Sequence, residues 1–165
     1  MFNKILSFGL LLCISPILFI SMLLIIIFDK SNPILLQERI GKDMKPFNII
    51  KLQTKKNNNI TKLGFYLRKF SIDEIPQFIN VILGNMNIIG PRPLVPTDYI
   101  NINFNKRTII LPGITGYHQI YGKSNDPYGK LEFDMYYINN KSFKLDLCIF
   151  FQTIINTLIG KKLHY

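Results

Sequence analysis

The N-terminal segment of the chain restricts its fold more than any other feature. Residues 5–28 contain no charged side chain and few polar ones. About 24 residues at a rise of 1.5 Å form a helix of roughly 36 Å, which is enough to cross the hydrocarbon core of a bilayer. The run is longer than the apolar core of a secretory signal, and no small-residue cleavage site follows it before Asp29. We therefore predict a membrane anchor over residues 1–30 and a separate domain over residues 31–165.

Ser15 and Pro16 interrupt the middle of this apolar run. Proline lacks an amide donor and clashes with the preceding turn, so we expect it to kink the helix. Lys4 and Lys30 flank the two ends, so the positive-inside rule favours neither orientation. Two arrangements therefore remain open: a re-entrant helix that enters and leaves on one side, and a straight span that tolerates its proline.

The charge of the chain indicates anionic partners. All but one of its 20 basic residues follow the apolar run, and the net charge is +10. Such a surface suits lipid headgroups and nucleotide phosphates. No nucleic-acid-binding motif is present, so we do not expect nucleic acid as a partner. The two cysteines, Cys13 and Cys148, lie in apolar runs and indicate no disulfide framework, which favours a cytoplasmic domain.

The pattern beyond residue 31 predicts an α+β fold. Residues 33–37 and 46–52 read as short strands around a turn at residues 41–43, which is a β-hairpin. Residues 55–59 read as a polar connection. Helical spacing of apolar residues predicts an amphipathic helix over residues 61–70 that rests on lipid headgroups. An apolar-rich helix over residues 142–159 is too polar to span a membrane and is expected to be interfacial or part of the core.

Adjacent carboxylates at Asp73 and Glu74 follow the basic pair Arg68-Lys69. Carboxylates beside cations suggest phosphate chemistry. A structural alternative is a capping box, in which Ser71 and Glu74 satisfy backbone donors at the start of a helix over residues 71–83. Pro76 favours a later helix start, because proline fits the first turn of a helix but not its interior. In either case we expect the helix end to stabilise the ionised form of Asp73.

Arg92 lies between two prolines in the sequence Gly90-Pro91-Arg92-Pro93. The prolines fix the backbone, so the guanidinium loses less conformational entropy when it binds. A bidentate phosphate clamp needs this kind of presentation. The alternative is a rigid loop whose arginine is solvated.

The order of these motifs resembles the bacterial sugar transferase family, the monotopic polyprenol-phosphate phosphoglycosyl transferases in their small single-domain form. The resemblance covers nearly the whole chain and rests on motifs at Ser15-Pro16, residues 37–41, Lys51, residues 71–77, Asn80-Val81, residues 84–86, residues 90–93, residues 112–116, Gln119, Gly122, Asp134, Tyr137, Ser142 and Asp146-Leu147.

The resemblance implies transfer of a phosphosugar from a UDP-sugar to undecaprenyl or another polyprenyl phosphate, with release of UMP. In the family the first carboxylate of the dyad is the nucleophile and forms a covalent phosphosugar intermediate. This implies Asp73 and Glu74 as catalytic residues, with Glu74 holding Mg²⁺. The other implied site residues are Arg92, Lys51 and Arg68 for substrate phosphates, Gln119, Lys123 and Asp134 in substrate-binding loops, and Ser15 and Pro16 at a re-entrant helix break.

The family resemblance also implies a location and partners. The catalytic domain over residues 31–165 would lie on the cytoplasmic face of the bacterial inner membrane, in contact with membrane lipids. The reaction would be the first membrane step in assembling an exopolysaccharide, O-antigen, capsule or glycoprotein glycan, followed by downstream glycosyltransferases. The chief alternative is a catalytically inactive, membrane-anchored binding protein of the same fold. A membrane phosphatase or acyltransferase lacks support, because the Asp-x-Asp, His-x4-Asp and Ser/His patterns of those enzymes are missing.

Overall fold

The computed structural model describes residues 2–96, 105–122 and 127–160, and within them the fold mixes helices and strands. The helices are α1 (Phe2–Leu24), α2 (Lys62–Lys69), α3 (Gln77–Leu83), α4 (Tyr117–Tyr121), α5 (Pro127–Asn140) and α6 (Phe143–Leu158). The strands are β1 (Ile34–Ile40), β2 (Pro46–Leu52), β3 (Lys55–Lys56), β4 (Asn59–Ile60), β5 (Asn87–Ile89) and β6 (Gly113–Thr115).

Contacts divide the chain into two compact units. The first unit comprises Met1–Gln37 and Asn48–Gly84, and the second comprises Glu38–Phe47 and Asn85–Tyr165. The proposed division into an anchor at residues 1–30 and a catalytic domain at residues 31–165 stays a prediction.

The apolar N-terminal run forms a helix that is long and apolar enough to cross a membrane. It covers Asn3–Asp29, 27 residues, with a mean hydropathy of 3.0 in a window that is just 11% buried. A core helix of a soluble domain would be mostly buried, so this exposure favours lipid as its surroundings. The helix ends in a π-helical turn, Ile25–Asp29, before Lys30 adopts a left-handed conformation with φ of 48°.

Helix α1 continues through Pro16 without a break. Pro16 has no amide hydrogen to donate to the carbonyl of Leu12, but the Ser15 hydroxyl donates to that carbonyl at 2.8 Å. Ser15 therefore satisfies the acceptor that Pro16 leaves without a helical donor. The re-entrant path and the cytoplasmic placement stay predictions.

The predicted β-hairpin is confirmed. Strands β1 and β2 pair in a two-stranded sheet and are joined by a 3-10 turn at Lys42–Met44. In the first unit, Ile25, Leu52 and Leu67 form a buried apolar cluster. The end of the apolar N-terminal helix, strand β2 and helix α2 therefore share one core.

The polar connection at residues 55–59 is a second, small hairpin. Strands β3 and β4 pair antiparallel, and Asn57 and Asn58 form the turn with φ of 50° and 63°. Asparagine tolerates this left-handed conformation better than most residues, which allows a two-residue turn. The polarity of the segment concealed its strand pairing from sequence analysis.

Helix α2 is confirmed close to its predicted limits. Thr61 caps it by accepting a hydrogen bond from the Gly64 amide at 2.9 Å. A Cβ atom at Gly64 would lie 2.2 Å from the Thr54 carbonyl oxygen. Glycine therefore allows this helix to lie directly against the end of strand β2.

The predicted helix over residues 71–83 is wrong as a single element. Residues Ile72–Glu74 form a 3-10 turn, and helix α3 begins at Gln77, after Pro76. The helix starts later than Ser71, as Pro76 favoured, but Pro76 caps the helix instead of lying in its first turn. The capping-box alternative is not observed, because Ser71 lies in the left-handed region with φ of 53° and makes no side-chain cap hydrogen bond.

The second unit is built around a parallel strand pair that the sequence did not reveal. Strand β5 pairs with β6, with Asn87 opposite Gly113 and Ile89 opposite Thr115. The sequence predicts a loop at residues 112–116, and this is wrong for Gly113–Thr115, which form β6. Buried Tyr137 on α5 donates to Asp146 on α6 at 2.7 Å, and Thr153 on α6 hydrogen-bonds Thr115 at 2.8 Å. These contacts join both helices to the strand pair.

Candidate active site

A buried ion pair lies in the first unit. The Lys51 ammonium on β2 lies 2.7 Å from Oε1 of Glu74, and the two side chains are 10% and 7% exposed. Burial of both charges makes each dependent on the other, because removing one leaves the other desolvated without compensation. The structure thus places Lys51 against the dyad.

The side chain of Asn80 holds the dyad region against strand β2. Its Oδ1 accepts from the Ile50 amide at 3.0 Å, and its Nδ2 donates to the Asn48 carbonyl at 2.8 Å. One amide thus completes two backbone hydrogen bonds on a strand edge, an arrangement that buried asparagine can satisfy fully. Helix α3, and the turn that precedes it, are thereby joined to the strand that carries Lys51.

Asp73 is buried beside Glu74, and this environment opposes its charge. Its pKa is raised from 3.8 to about 6, first by desolvation and then by repulsion from Glu74, while Lys51 and Arg68 act in the opposite direction. The expectation that a helix end stabilises the ionised carboxylate is therefore wrong. The three-residue 3-10 turn has little dipole, and the loss of water outweighs it.

Arg68 completes the group of predicted residues in this unit. Its Nε donates to Oγ1 of buried Thr54 at 2.7 Å, and its charge lowers the pKa of Asp73. Asp73, Glu74, Lys51 and Arg68 thus act on one another in one unit. Their roles toward substrate phosphates stay predictions.

The dyad offers a donor set that suits Mg²⁺ bound together with a substrate. Within the ranges that the structure describes, no group of three or more His, Cys, Asp or Glu residues is placed to hold a metal. Mg²⁺ commonly takes one or two carboxylates and completes its shell with substrate phosphates and water. Asp73 and Glu74 fit that mode, and a cation would relieve the repulsion that raises the pKa of Asp73.

Arg92 and Asp134 belong to the second unit, where Arg107 links them. One terminal nitrogen of Arg107 donates to the Arg92 carbonyl at 3.1 Å and lies 2.5 Å from Oδ2 of Asp134. Asp134 lies inside helix α5, and burial raises its pKa to about 6 although Arg107 and Lys130 oppose the change. Arg107 was not predicted from the sequence, because an arginine outside any motif gives no indication that it forms a buried ion pair.

Gln119, which the resemblance assigned to a substrate-binding loop, lies instead on the short helix α4 and is 1% exposed. Neither atom of its side-chain amide has a hydrogen-bond partner within the described part of the chain. A buried amide without partners is costly, and each such group in a native protein calls for a water or a ligand. Lys123, which the resemblance also assigned to a substrate-binding loop, lies outside the described residues.

Comparison with known proteins identifies the family. The family model described as "Bacterial sugar transferase" matches residues 1–160. The "Uncharacterized sugar transferase EpsL" of Bacillus subtilis (strain 168) is 34% identical over 92% of this chain and 83% of its own length.

Two larger relatives have named substrates. The "UDP-N-acetylgalactosamine-undecaprenyl-phosphate N-acetylgalactosaminephosphotransferase" of Aeromonas hydrophila is 34% identical over 88% of this chain. The "UDP-glucose:undecaprenyl-phosphate glucose-1-phosphate transferase" of Klebsiella pneumoniae is 34% identical over 92% of it. The match spans 40% and 38% of the lengths of these two relatives. Because the family model covers nearly the whole chain, the chain belongs to the bacterial sugar transferase family, a family of transferases.

Proposed function

We propose that this protein transfers a phosphosugar from a UDP-sugar to undecaprenyl phosphate and releases UMP. The observation that carries the proposal is the buried Asp73–Glu74 dyad, paired with Lys51 in a chain of this family. Two relatives of known substrate are named as transferases of a sugar phosphate to undecaprenyl phosphate. The sugar itself is left open, because these two relatives already differ in it.

Asp73 is the proposed nucleophile. Its pKa of about 6 leaves the carboxylate ionised at neutral pH, while burial removes much of the hydration that would otherwise shield it. A carboxylate oxygen attacks the phosphorus that carries the sugar. The bond from that phosphorus to the oxygen bridging to UMP breaks, UMP leaves with the electron pair, and the phosphosugar is held on Asp73.

The second half of the cycle releases the phosphosugar to the lipid. An oxygen of undecaprenyl phosphate attacks the same phosphorus, the bond to Asp73 breaks, and the carboxylate is regenerated. Lys51, Arg68 and Arg92 would neutralise phosphoryl oxygens, and Lys51 also holds Glu74 in place. Mg²⁺ held by Glu74 would supply charge neutralisation for the diphosphate when it is bound.

The membrane helix suits a lipid acceptor. A polyprenyl phosphate presents its phosphate at the bilayer surface, and α1 is able to anchor the chain there. We propose that the catalytic residues face the cytoplasm at the bacterial inner membrane, where UDP-sugars are made. The product would then pass to glycosyltransferases that extend a glycan.

Release of UMP tests the proposal. Purified full-length protein is incubated with Mg²⁺, undecaprenyl phosphate and each member of a panel of UDP-sugars. We expect UMP from at least one sugar, none from Asp73→Asn, and a severe reduction, about 100-fold or more, in Glu74→Gln.

Asp43→Asn is the matched control, because Asp43 is an exposed aspartate with φ of 52°, a conformation that asparagine accepts. This variant should retain wild-type turnover. Full activity of Asp73→Asn would refute the nucleophile assignment. Absence of UMP with every sugar, from wild-type protein that is folded and inserted in membrane, would favour a binding protein without catalysis.

A further inference from the structure

The geometry points to Arg107 as a positioning residue that fixes Arg92 from within the second unit, an inference that rests on the proposed function for its catalytic consequence. Arg107 lies on the 3-10 segment Asn105–Ile109, outside the motifs on which the family resemblance rests. Its role would be to hold the main chain of Arg92 so that the Arg92 guanidinium meets the diphosphate of the substrate.

The Arg107 guanidinium is buried and joins two elements. It donates to the Arg92 carbonyl at 3.1 Å and pairs with Asp134 on helix α5 at 2.5 Å. Both contacts come from one terminal nitrogen, whose two N–H bonds have fixed directions in the plane of the guanidinium, whereas a lysine ammonium rotates freely and ends nearer the backbone. Asp134 thereby orients Arg107, and Arg107 orients the loop.

Other donors hold the carbonyls on either side of Arg92. The Gly113 amide donates to the Pro91 carbonyl at 2.9 Å, and the Ile40 amide donates to the Leu94 carbonyl at 2.9 Å. Pro91 and Pro93 contribute no amide donors of their own, so the loop depends on donors from outside it. The carbonyl of Arg92 depends on the side chain of Arg107 in the same way.

Close backbone packing leaves the loop little freedom at its start. A Cβ atom at Gly113 would lie 2.1 Å from the Gly90 amide nitrogen, so glycine is required for this approach. Arg92 and Arg107 also line one cavity, together with Pro91, Pro93, Thr108 and Gly41. A loop fixed on this side presents Arg92 with a smaller entropic cost when an anion binds.

The kinetic test compares Arg107→Lys, Arg92→Ala and the double variant in the UMP-release assay. Lysine keeps the charge that Asp134 needs, but its shorter side chain does not carry a nitrogen to the position from which Arg107 also reaches the Arg92 carbonyl. We expect Arg107→Lys to lower kcat/KM by about tenfold in the Arg92 background and by less than about twofold in the Arg92→Ala background. Exposed Lys106 is the matched control, and Lys106→Gln should change neither value.

Amide hydrogen exchange gives a measurement that needs no activity. In Arg107→Lys the peptide that covers residues 88–95 should exchange about tenfold faster than in the wild type, while a peptide from α2 is unchanged. Asp134→Asn, which keeps the shape of the side chain, should accelerate the same peptide to a smaller extent. The exchange result stands even if no UDP-sugar is turned over, so failure of the proposed function is distinguished from failure of this inference.

Two results would overturn the inference. Losses that multiply in the double variant would mean that Arg107 acts independently of Arg92, as a substrate ligand of its own or through general stability. Unchanged exchange at residues 88–95 in both Arg107→Lys and Asp134→Asn would mean that Arg107 does not hold the loop.

Discussion

At the scale of single residues, the Asp73–Glu74 dyad that is proposed to catalyse the reaction also lowers the stability of the folded protein. Asp73 is buried beside another carboxylate, and its pKa of about 6 shows that the folded protein favours its protonated form more than water does. A nucleophile must nevertheless be ionised at neutral pH. The fold therefore carries a charge that it would be more stable without.

Replacement of Asp73 by asparagine should stabilise the protein at neutral pH. The unfolded pKa is 3.8 and the folded pKa is about 6, so between these values the folded state holds a proton that the unfolded state has lost. Stability falls as the pH rises through this window and stays lower above it. We expect Asp73→Asn to raise the free energy of unfolding at pH 7.5 by up to about 3 kcal/mol.

Circular dichroism during denaturation in detergent measures this difference. The gain of Asp73→Asn over the wild type should shrink as the pH is lowered from 7.5 toward 4, where both proteins carry a neutral side chain. The exposed control Asp43→Asn should show no gain at any pH. A destabilised Asp73→Asn at pH 7.5 would contradict the assignment of a strained, ionised carboxylate.

The Lys51–Glu74 pair makes a second prediction at this scale. Lys51→Met leaves the Glu74 carboxylate buried without its cation, and breaking a buried pair in this way costs about 3–5 kcal/mol. The unfolding midpoint should fall markedly, and Glu74→Gln in the same chain should recover part of the loss. The control is Lys55→Met, which removes an exposed lysine on the next strand and should leave the midpoint unchanged. Equal midpoints for both variants would show that the pair contributes nothing to stability.

At the scale of elements, helix α1 compensates for its proline locally. Ser15 donates to the Leu12 carbonyl, which would otherwise lack the hydrogen bond that Pro16 cannot supply. In the hydrocarbon core of a bilayer, no water is present to donate a hydrogen bond to such a carbonyl. The pairing of serine with the following proline therefore has a structural reason that holds for a spanning and for a re-entrant helix.

A double-mutant cycle on α1 tests this compensation. Ser15→Ala should destabilise the protein by about 1 kcal/mol when Pro16 is present, in the range measured for hydrogen bonds within membranes. In a Pro16→Ala background the same change should cost almost nothing, because the alanine amide then donates to Leu12. The measurement is thermal unfolding in detergent micelles. Equal costs in both backgrounds would contradict a compensating role for the Ser15 hydroxyl.

Helix α6 presents an apolar face that the fold does not cover. Its opposite face is buried through Ile149 and Asn156. The uncovered face has exposures between 39% and 74% and consists of Phe143, Leu147, Phe151, Ile154, Ile155 and Leu158. The sequence predicts a helix that is either interfacial or part of the core. One face of α6 is buried in the core, and the other face is apolar and exposed, as an interfacial helix requires. Lys141 and Lys144 at its start suit anionic headgroups.

An environment-sensitive fluorophore tests whether this face of α6 contacts the bilayer. With Cys13 and Cys148 replaced by serine, a nitrobenzoxadiazole label on Phe151→Cys should emit at shorter wavelength in anionic liposomes than in water, because lipid surrounds it. The same label on Lys144→Cys should report a more polar environment. Water-like emission from both positions would contradict contact between α6 and the bilayer.

The elements that sequence analysis found are those with local causes. Two short apolar runs with a turn between them predict the β1–β2 hairpin. The helical spacing of apolar residues after Thr61 predicts α2, and Pro76 predicts that α3 starts later than Ser71. The elements it missed depend on distant partners. Strand β6 pairs with β5 across more than twenty residues of sequence, and Arg107 finds Asp134 on another helix. The sequence around each of these residues gives no indication of such contacts.

At the scale of the whole molecule, the candidate site residues fall into two groups. Asp73, Glu74, Lys51 and Arg68 act on one another in the first unit. Arg92, Arg107 and Asp134 are joined in the second. The family match covers both units and the membrane helix. The motif order in the sequence was sufficient to name these residues, except Arg107, while their pairing and burial came from the fold.

The most direct measurement is mass spectrometry of the enzyme after reaction with a UDP-sugar and Mg²⁺ without lipid acceptor. The account predicts that the peptide containing Asp73 gains the mass of one sugar phosphate, and that added undecaprenyl phosphate removes it. Asp73→Asn should never gain this mass. An active enzyme that releases UMP only when the lipid is present, with no adduct at Asp73 under any trapping condition, would contradict the central claim.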